Sequence, residues 1–392
     1  MNRIDQITLA DFPQSITDQV ETPCYLISED AVRRNCQILA SVQERTGAKI
    51  LLALKAFALP AVFPLIREYL HGVCASGPIE AQLGREEFGR EVHTYAPAYT
   101  GAQMERVVRF SDHILFNSIH QWHLHREAVA ASSRNIQVGL RVNPGHAEVE
   151  VDLYNPCLPG SRFGVSPADL DGVDLTGISG LHFHALCEQG ADVLERVLTS
   201  FEQRFGDYIG QMQWINFGGG HHITRDDYDL ELLCQTINSF RARHNNIEVY
   251  LEPGEAVVLN AGVFVTSVVD TMRNGMDIAI LDSSAETHMP DVLAMPYRPH
   301  LVGAGEPGER AHTYRLGGIS CLAGDIVGDY SFDTQLKPGK RLVLTDMALY
   351  SFVKNTTFNG VELPSLYTCS LADDSPQLIR SFDYTDYRSR IA

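Results

Sequence analysis

Four polar features of the sequence could together do chemistry on a carbonyl compound, and each of them follows an apolar segment. Lys55 ends the run "LLAL", His184 lies in "LHFHALCE", three glycines stand at 218–220 in "NFGGG", and Glu252 lies in "LEPGE". A lysine amine that is partly withdrawn from water has a lowered pKa and becomes a nucleophile for carbonyl compounds. A carboxylate such as Glu252 can hold a proton on a ring nitrogen through a charge-assisted hydrogen bond.

Each feature also has a plain structural interpretation. A lysine at a strand end commonly extends its amine into solvent, and a strand-end glutamate is commonly solvated. The glycines permit positive φ and could let backbone N–H groups hold a phosphate, or they could form a turn without a ligand. They match neither a P-loop nor G-x-G-x-x-G. His184 could stack on a planar ligand or be a buried histidine satisfied by hydrogen bonds.

A metal site is the third possibility for the histidines. The residues that could supply ligands are close in the sequence: His182, His184, Cys187, His221 and His222. No helical H-x-x-x-H and no paired-cysteine spacing accompanies them, so we predict no metal site.

The elements that position these residues form a regular series. Strand-like segments occur at 49–54, 72–76, 91–97, 113–118, 137–143, 177–185, 213–220 and 248–254. A spacing of about 20 to 40 residues is typical of βα units with a parallel sheet. Eight units predict a (β/α)8 TIM-type barrel, in which the carboxyl ends of the strands meet at one face. A doubly wound sheet is the alternative.

After Gly254 the sequence changes to strand-like segments with short turns, which predicts a C-terminal all-β domain. We predict a barrel over residues 22–258 and a β-rich domain over 259–392 that includes residues 1–21. The leading strand "CYLI" is expected to join the β domain. Ser28 is a candidate N-cap for the helix that precedes Lys49, and a final helix is expected after Met347.

Composition excludes several classes of protein. A net charge of −18 argues against a nucleic-acid surface, which needs clustered Lys and Arg. No apolar run approaches the roughly 20 residues that span a bilayer, and the N-terminus lacks the apolar core of a signal peptide. The eight cysteines are scattered without C-x-x-C pairs. We therefore expect a cytoplasmic protein with reduced thiols that binds neither nucleic acid nor membrane.

The motifs together resemble the fold-type III pyridoxal-phosphate decarboxylases, which combine an alanine-racemase-like barrel with a C-terminal β domain. The resemblance covers nearly the whole chain and rests on "ALKAF", "SRFGV", "HFHALCE", "NFGGG", "EPGE", "GGISCLAGD" and "MALYSFVKNTTFNG". The segments "HFHALCEQ", "EPGEAVVLNAG" and "HMPDVLAMPYRP" are similar to the branch that acts on carboxynorspermidine and carboxyspermidine. The resemblance implies pyridoxal 5'-phosphate as cofactor and a homodimer with shared active sites.

The resemblance also implies a role for each matching residue. The cofactor would be held by Lys55 through its aldehyde, by His184 and Glu252 through its ring, and by Gly218, Gly219, Gly220 and Tyr350 through its phosphate. Cys321 of the partner subunit would return a proton after CO2 leaves, and Asp325 would bind a substrate amine. A ring nitrogen kept protonated by Glu252 is a strong electron sink, which favours decarboxylation over racemisation.

One residue departs from the wider family. Relatives of the ornithine and diaminopimelate type carry an arginine after "EPG", whereas this chain has Glu255. A carboxylate there suits a cationic polyamine arm, and Asp291 is a weaker candidate for the same role. Diaminopimelate, ornithine or arginine decarboxylation remains the alternative reaction on the same fold. A pyridoxal-phosphate-binding protein without turnover is a further alternative.

Overall fold

The computed structural model describes residues 3–373 and 375–392, which divide into two compact units. Residues 33–257 form one unit, and the segments before residue 33 and from residue 258 onward together form the other. Among the described residues, no helix combines the length and apolar character that crossing a membrane requires.

The elements have the following bounds. The strands are β1 Cys24–Ser28, β2 Lys49–Ala53, β3 Gly72–Ala75, β4 Glu91–Tyr95, β5 His113–Phe116, β6 Gln137–Arg141, β7 Gly180–His182, β8 Trp214–Asn216, β9 Glu248–Leu251, β10 Gly262–Asn274, β11 Met276–Leu281, β12 His312–Gly317, β13 Ile326–Phe332, β14 Arg341–Thr345, β15 Ser365–Cys369 and β16 Gln377–Arg380. The helices are α1 Arg3–Asp11, α2 Gln14–Thr17, α3 Glu29–Thr46, α4 Phe63–Ile66, α5 Pro78–Leu83, α6 Gly101–Phe110, α7 Ile119–Ala130, α8 Ala191–Ile209, α9 Leu230–Arg243, α10 Glu255–Val258, α11 Ala285–His288, α12 Asp291–Ala294, α13 Ser351–Lys354 and α14 Tyr384–Ile391.

Strands β2 to β9 form a closed parallel barrel, which confirms the predicted fold. The first strand pairs with the last, and Lys49 lies opposite Tyr250. This closure rules out the doubly wound alternative, whose sheet stays open. The eight strands are those that the sequence predicts, because strands of a parallel sheet are buried on both faces and form continuous apolar runs.

The interior of the barrel contains a cluster of Leu51, Leu115, Trp214 and Tyr250. The Trp214 indole is accommodated by a glycine on a neighbouring strand. A Cβ atom added to Gly180 would lie 2.1 Å from the indole. The side chain is therefore accommodated because this strand lacks a Cβ atom at the point of contact.

The second unit is built on a mixed sheet. Its strand order is β13-β12-β11-β10-β1-β15-β16, and β14 also pairs with β10. Strand β1 pairs antiparallel with β10 and parallel with β15, so the leading strand joins this sheet as predicted. It therefore lies in the second unit, although the bounds predicted for the barrel, 22–258, include it. Ser28 ends β1, and its Oγ accepts the Ala31 N–H at 3.2 Å in the first turn of α3, as predicted for an N-cap.

Several elements of this unit differ from the sequence prediction. The sequence pattern does not indicate helices α1 and α2 or strands β15 and β16. The helix expected after Met347 is the single turn Ser351–Lys354, and the final helix begins only at Tyr384. Segments this short lack the periodicity that distinguishes a helix from a turn.

Candidate functional site

The polar residues predicted from the sequence lie at the carboxyl-terminal ends of the barrel strands. Lys55 follows β2, His184 follows β7, the glycine run follows β8, and Glu252 follows β9 directly. Backbone bonds connect these ends, since the Glu252 N–H donates to the Gly218 carbonyl at 2.7 Å. The Gly219 N–H donates to Nδ1 of His184 at 2.9 Å. Three of the four features are thus in direct contact.

Lys55 stands on a rigid backbone. The Leu54 N–H donates to the Cys74 carbonyl at 3.0 Å, and the Ala56 N–H donates to the Ala53 carbonyl at 3.1 Å. Leu54 and Ala56 are buried, whereas Lys55 is exposed. The apolar segment therefore fixes the position of the residue. The exposure of Lys55 differs from our expectation that its amine is partly withdrawn from water.

His184 is held as a neutral ring. Its Nδ1 accepts the Gly219 N–H, so the ring proton lies on Nε2. Burial lowers the pKa of His184 well below its usual value, and the nearby positive charges of Lys55 and Arg141 lower it further. A neutral imidazole with a fixed orientation can present its face to a planar ligand.

The glycine run is packed tightly against the neighbouring strand ends. A Cβ atom on Gly219 would lie 2.0 Å from the Glu252 carbonyl oxygen, and one on Gly220 would lie 1.9 Å from the Leu186 carbonyl oxygen. Gly218 and Gly220 also have positive φ angles, 70° and 87°. Only glycine allows this close approach, and it leaves backbone rather than side chains at the surface of the loop.

Glu252 is buried, with 9% of the residue exposed, and yet it is ionised. Burial raises the pKa of its carboxyl, but His182, His93 and the hydrogen bond from Asn216 outweigh burial and lower the pKa to about 2. The Asn216 amide donates to Oε1 at 2.7 Å, and Nε2 of His182 lies 3.3 Å from Oε2. A buried carboxylate held in this way is suited to hold a proton or a cation at this point.

Glu255 belongs to a second group of charges on the same side of the barrel. Its Oε2 lies 2.9 Å from Nε2 of His222, and both side chains are nearly buried. Burial raises the pKa of Glu188, and the Glu255 carboxylate raises it further. Glu188 also has a left-handed backbone, with φ of 56°. Two carboxylates near a single histidine make this part of the rim attractive to cations.

Sequence reasoning missed Arg141 and Asn216. Arg141 ends β6, is 6% exposed, and donates to the His184 carbonyl at 3.2 Å. Its guanidinium lies over the rings of Tyr95 and Phe163, 4.6 and 4.3 Å from their centroids. Burial lowers its pKa. A charged residue that ends an apolar strand is the signal that singled out Lys55, and it applies equally to Arg141.

The remaining predicted residues lie in the second unit. Cys321 is exposed, whereas Asp325 is buried. Tyr350 has a left-handed backbone, with φ of 55°, directly before α13. Asp291 forms an ion pair with Lys354, so its carboxylate already has a cationic partner.

A further polar cluster lies at the opposite, amino-terminal ends of the barrel strands. Glu91 accepts hydrogen bonds from His71 and His93, and ligand atoms of Glu91, His93 and His113 lie within 4.8 Å of one another. The His93 and His113 rings stack at 3.8 Å with an interplanar angle of 11°. Nitrogen lone pairs lie in the ring plane, so two parallel rings do not direct them to one ion in this arrangement.

Comparison with known proteins gives a consistent picture. The family described as "Pyridoxal-dependent decarboxylase, C-terminal sheet domain" matches residues 24–348. A carboxynorspermidine/carboxyspermidine decarboxylase of Campylobacter jejuni is 44% identical, over 95% of this chain and 99% of the relative. A carboxyaminopropylagmatine decarboxylase of Synechocystis is 42% identical, over 94% of this chain and 95% of the relative.

Solved structures agree with the sequence relatives. The crystal structure of carboxynorspermidine decarboxylase complexed with norspermidine from Campylobacter jejuni has a TM-score of 0.87 and 43% identity. It covers 95% of this chain and 100% of that chain. Diaminopimelate decarboxylase from Helicobacter pylori, complexed with L-lysine, has a TM-score of 0.78 at 16% identity, over 95% of this chain and 97% of that chain. The second likeness shows the shared fold alone.

Proposed function

The chain belongs to the pyridoxal-dependent decarboxylase family, and from this premise we propose that it decarboxylates carboxynorspermidine and carboxyspermidine to norspermidine and spermidine. The observation that carries the proposal is the near-complete similarity to a carboxynorspermidine/carboxyspermidine decarboxylase, at 44% identity. The similar structure that contains norspermidine supports the same class of substrate.

The cofactor of this reaction would be pyridoxal 5'-phosphate. When bound, it supplies an aldehyde and a ring that accepts the electrons left by departing CO2. The exposed Lys55 amine, the neutral His184 ring and the ionised Glu252 are the donor set that such a group needs, and they follow three different strands of one barrel. Tyr350 is proposed to contact the phosphate together with the glycine run.

The protein's own residues would act by fixing charge and protons. The pKa of the Glu252 carboxyl, lowered to about 2 by His182, His93 and the hydrogen bond from Asn216, lies far below neutral pH, so we propose that Glu252 acts as a carboxylate. It can therefore hold a ring-nitrogen proton throughout turnover. Cys321 is proposed as the acid that returns a proton to the product carbon, supplied by the partner subunit of a homodimer.

The substrate class is supported by the charges around Glu255. A carboxylated polyamine carries ammonium groups beyond its reacting carbon, and these require anionic partners. Glu255 and the exposed Glu188 offer carboxylates near His222, the residue that Glu255 already contacts. An arginine at position 255 would instead favour a substrate with a distal carboxylate. We therefore assign the polyamine arm to Glu255 and Glu188, with Asp291 as a weaker candidate because Lys354 already pairs with it.

Carboxyaminopropylagmatine is the second candidate substrate, because a decarboxylase of that name is 42% identical to this chain. Its guanidinium end is also cationic, so the same carboxylates suit it. Diaminopimelate decarboxylases are only 23–26% identical, which makes the diaminopimelate reaction a weaker alternative.

The test is a comparison of kcat/KM for these substrates with the purified holoenzyme, with ornithine and arginine included. We expect carboxynorspermidine or carboxyspermidine to exceed ornithine, arginine and diaminopimelate by at least about tenfold. A preference for carboxyaminopropylagmatine would transfer the assignment to the second candidate. A preference for ornithine or diaminopimelate would contradict the proposal.

The role of Glu255 has its own control. Glu255→Gln should raise KM for carboxynorspermidine roughly ten- to hundredfold, because a hydrogen bond to a charged group contributes about 1.5–3 kcal/mol. Glu195→Gln, on the exposed face of α8, is the matched control and should leave KM unchanged. An unaltered KM in Glu255→Gln would contradict the proposed contact between Glu255 and the substrate.

A further inference from the structure

The loop that carries Cys321 is fastened from several sides. This segment, residues 318–325, connects β12 to β13 and is called the Cys321 loop below. The Gly318 N–H donates to the Asp325 carbonyl at 2.8 Å, which closes the loop, and the Cys321 N–H donates to Oδ1 of Asn359 at 2.8 Å. Cys321 is the exposed member of the eight cysteines. Its backbone is therefore fixed while its thiol reaches solvent.

The carboxylate of Asp325 lies underneath this loop and is already fully engaged. Oδ1 accepts the Ala285 and Glu286 N–H groups, at 2.7 and 3.2 Å, at the start of α11. Oδ2 accepts the N–H and the hydroxyl of Ser320, at 3.2 and 2.6 Å. Asp325 is 3% exposed. A carboxylate with four donors has no free lone pair of good geometry for a further ammonium group.

The packing around Asp325 is equally specific. A Cβ atom on Gly318 would lie 2.2 Å from Oδ2 of Asp325. The glycine thus lets the loop fold directly over the carboxylate. Ser320 is the residue before Cys321, so the bonds from Ser320 to Asp325 and from Cys321 to Asn359 hold two consecutive residues from different sides.

We propose that Asp325 is a positioning residue that holds the Cys321 thiol in place through Ser320, and that it does not contact substrate. The proposal rests on the proposed function, in which Cys321 returns a proton to the product carbon. It replaces the amine-binding role that family resemblance implies for Asp325. A positioned acid accelerates proton transfer, so the loss of positioning lowers kcat, whereas the loss of an amine contact raises KM.

Asp325→Asn tests this distinction while keeping the size of the side chain. We expect kcat on carboxynorspermidine to fall by about tenfold or more, with KM changed by less than about threefold. Ser320→Ala removes the hydroxyl that links Asp325 to the loop and should also lower kcat. Asp329→Asn is the matched control, because Asp329 lies on β13 and pairs with Arg315 away from the loop. A raised KM with unchanged kcat in Asp325→Asn would overturn the proposal.

A second readout does not depend on turnover. Site-resolved alkylation of Cys321 by iodoacetamide, followed by mass spectrometry across a range of pH, reports the environment of the thiol directly. Asp325→Asn and Ser320→Ala should each shift the pH dependence of the Cys321 alkylation rate relative to the wild type, whereas Asp329→Asn should not. Unchanged profiles in both variants would overturn the positioning role. Shifted profiles in a protein that releases no CO2 would support it and contradict the proposed function alone.

Discussion

At the scale of single residues, the chemistry is located by charges that end apolar strands. Lys55, Arg141 and Glu252 each follow or end a buried strand, and for the buried Arg141 and Glu252 an uncompensated charge is costly. Glu252 shows how this cost is met, because Asn216 and His182 contact its two oxygens. For Glu252, the proposed functional residue therefore occurs together with partners that stabilise its charge.

Glu252→Gln is the most direct residue-level test of this arrangement. Glutamine keeps the hydrogen bond to Asn216 but cannot hold a ring-nitrogen proton by charge. We expect kcat to fall roughly 10²- to 10³-fold, as when one preorganised electrostatic contact is removed. Glu248→Gln, at the other end of β9, is the control and should retain kcat. Equal kcat in Glu252→Gln and the wild type would contradict the electrostatic role of Glu252.

The stacked histidines at the other end of the barrel predict a stability effect. Burial lowers the pKa of His113 to about 2 from its ordinary 6.5, so between these values the unfolded state binds a proton that the folded state does not. Acid therefore favours unfolding, and stability rises with pH up to about 6.5. From pH 7 to pH 5 this group should destabilise the fold by roughly 2 kcal/mol.

His113→Phe keeps an aromatic ring beside His93 and removes the titration. Its free energy of unfolding should therefore depend less on pH than that of the wild type, when both are measured by urea denaturation at pH 7 and pH 5. His120→Phe changes an exposed histidine and should keep the wild-type pH dependence. The same loss between pH 7 and pH 5 in His113→Phe and the wild type would contradict the assignment.

At the scale of elements, the strand ends are held in register by backbone contacts as well as by side chains. The glycine run lies against the carbonyls of Leu186 and Glu252, so its position and that of Glu252 depend on each other. A change at the glycines should therefore affect both stability and turnover.

Gly219→Ala tests this dependence. Its Cβ atom would lie 2.0 Å from the Glu252 carbonyl oxygen, so the strand ends must separate. Overpacking of this kind costs about 1–3 kcal/mol of unfolding free energy, and kcat should fall with it. Gly210→Ala, after α8, meets no atom within 4 Å and should change stability by less than about 0.5 kcal/mol. Equal stability of the two variants in urea denaturation would contradict this explanation.

The sequence predicts the barrel better than the second unit, because the barrel strands can be recognised from local sequence alone. The strands from Lys49 to Leu251 are continuous apolar runs that alternate with helices or turns, so each can be recognised without its partners. Strand β15 pairs with β1, which lies about 340 residues earlier in the chain, and its sequence "SLYTC" does not indicate that partner. The polar cluster of Glu91 and His113 was missed because both residues begin their strands, where solvated side chains are common.

Some features of the site are likewise predictable from local sequence, and others depend on contacts between distant segments. The positions of Lys55, His184 and Glu252 are predictable from the amino-acid sequence, because the carboxyl ends of barrel strands meet at one face. Neither the full engagement of the Asp325 carboxylate nor the burial of Arg141 over two rings could be predicted, since each depends on side-chain contacts between distant segments.

At the scale of the whole molecule, the proposed homodimer predicts complementation between inactive subunits. Two single variants are mixed: Lys55→Ala lacks the amine, and Cys321→Ser lacks the acid. In a shared site the amine and the acid come from different subunits. When subunits exchange at random in an equal mixture, half of the dimers contain one subunit of each variant. Each of these mixed dimers has one intact site, so about a quarter of all sites should be active. Activity no higher than the mean of the two separate variants would exclude shared sites.

The central claim is that this chain removes CO2 from a carboxylated polyamine by means of Lys55. The most direct measurement is CO2 release from carboxynorspermidine by the purified holoenzyme, compared with the Lys55→Ala variant at the same concentration. We expect wild-type release at a rate typical of enzymes, about 1–10³ per second, with norspermidine formed in equal amount and no measurable release by the variant. Full turnover by Lys55→Ala, or no CO2 from carboxynorspermidine with the wild type, would contradict the account.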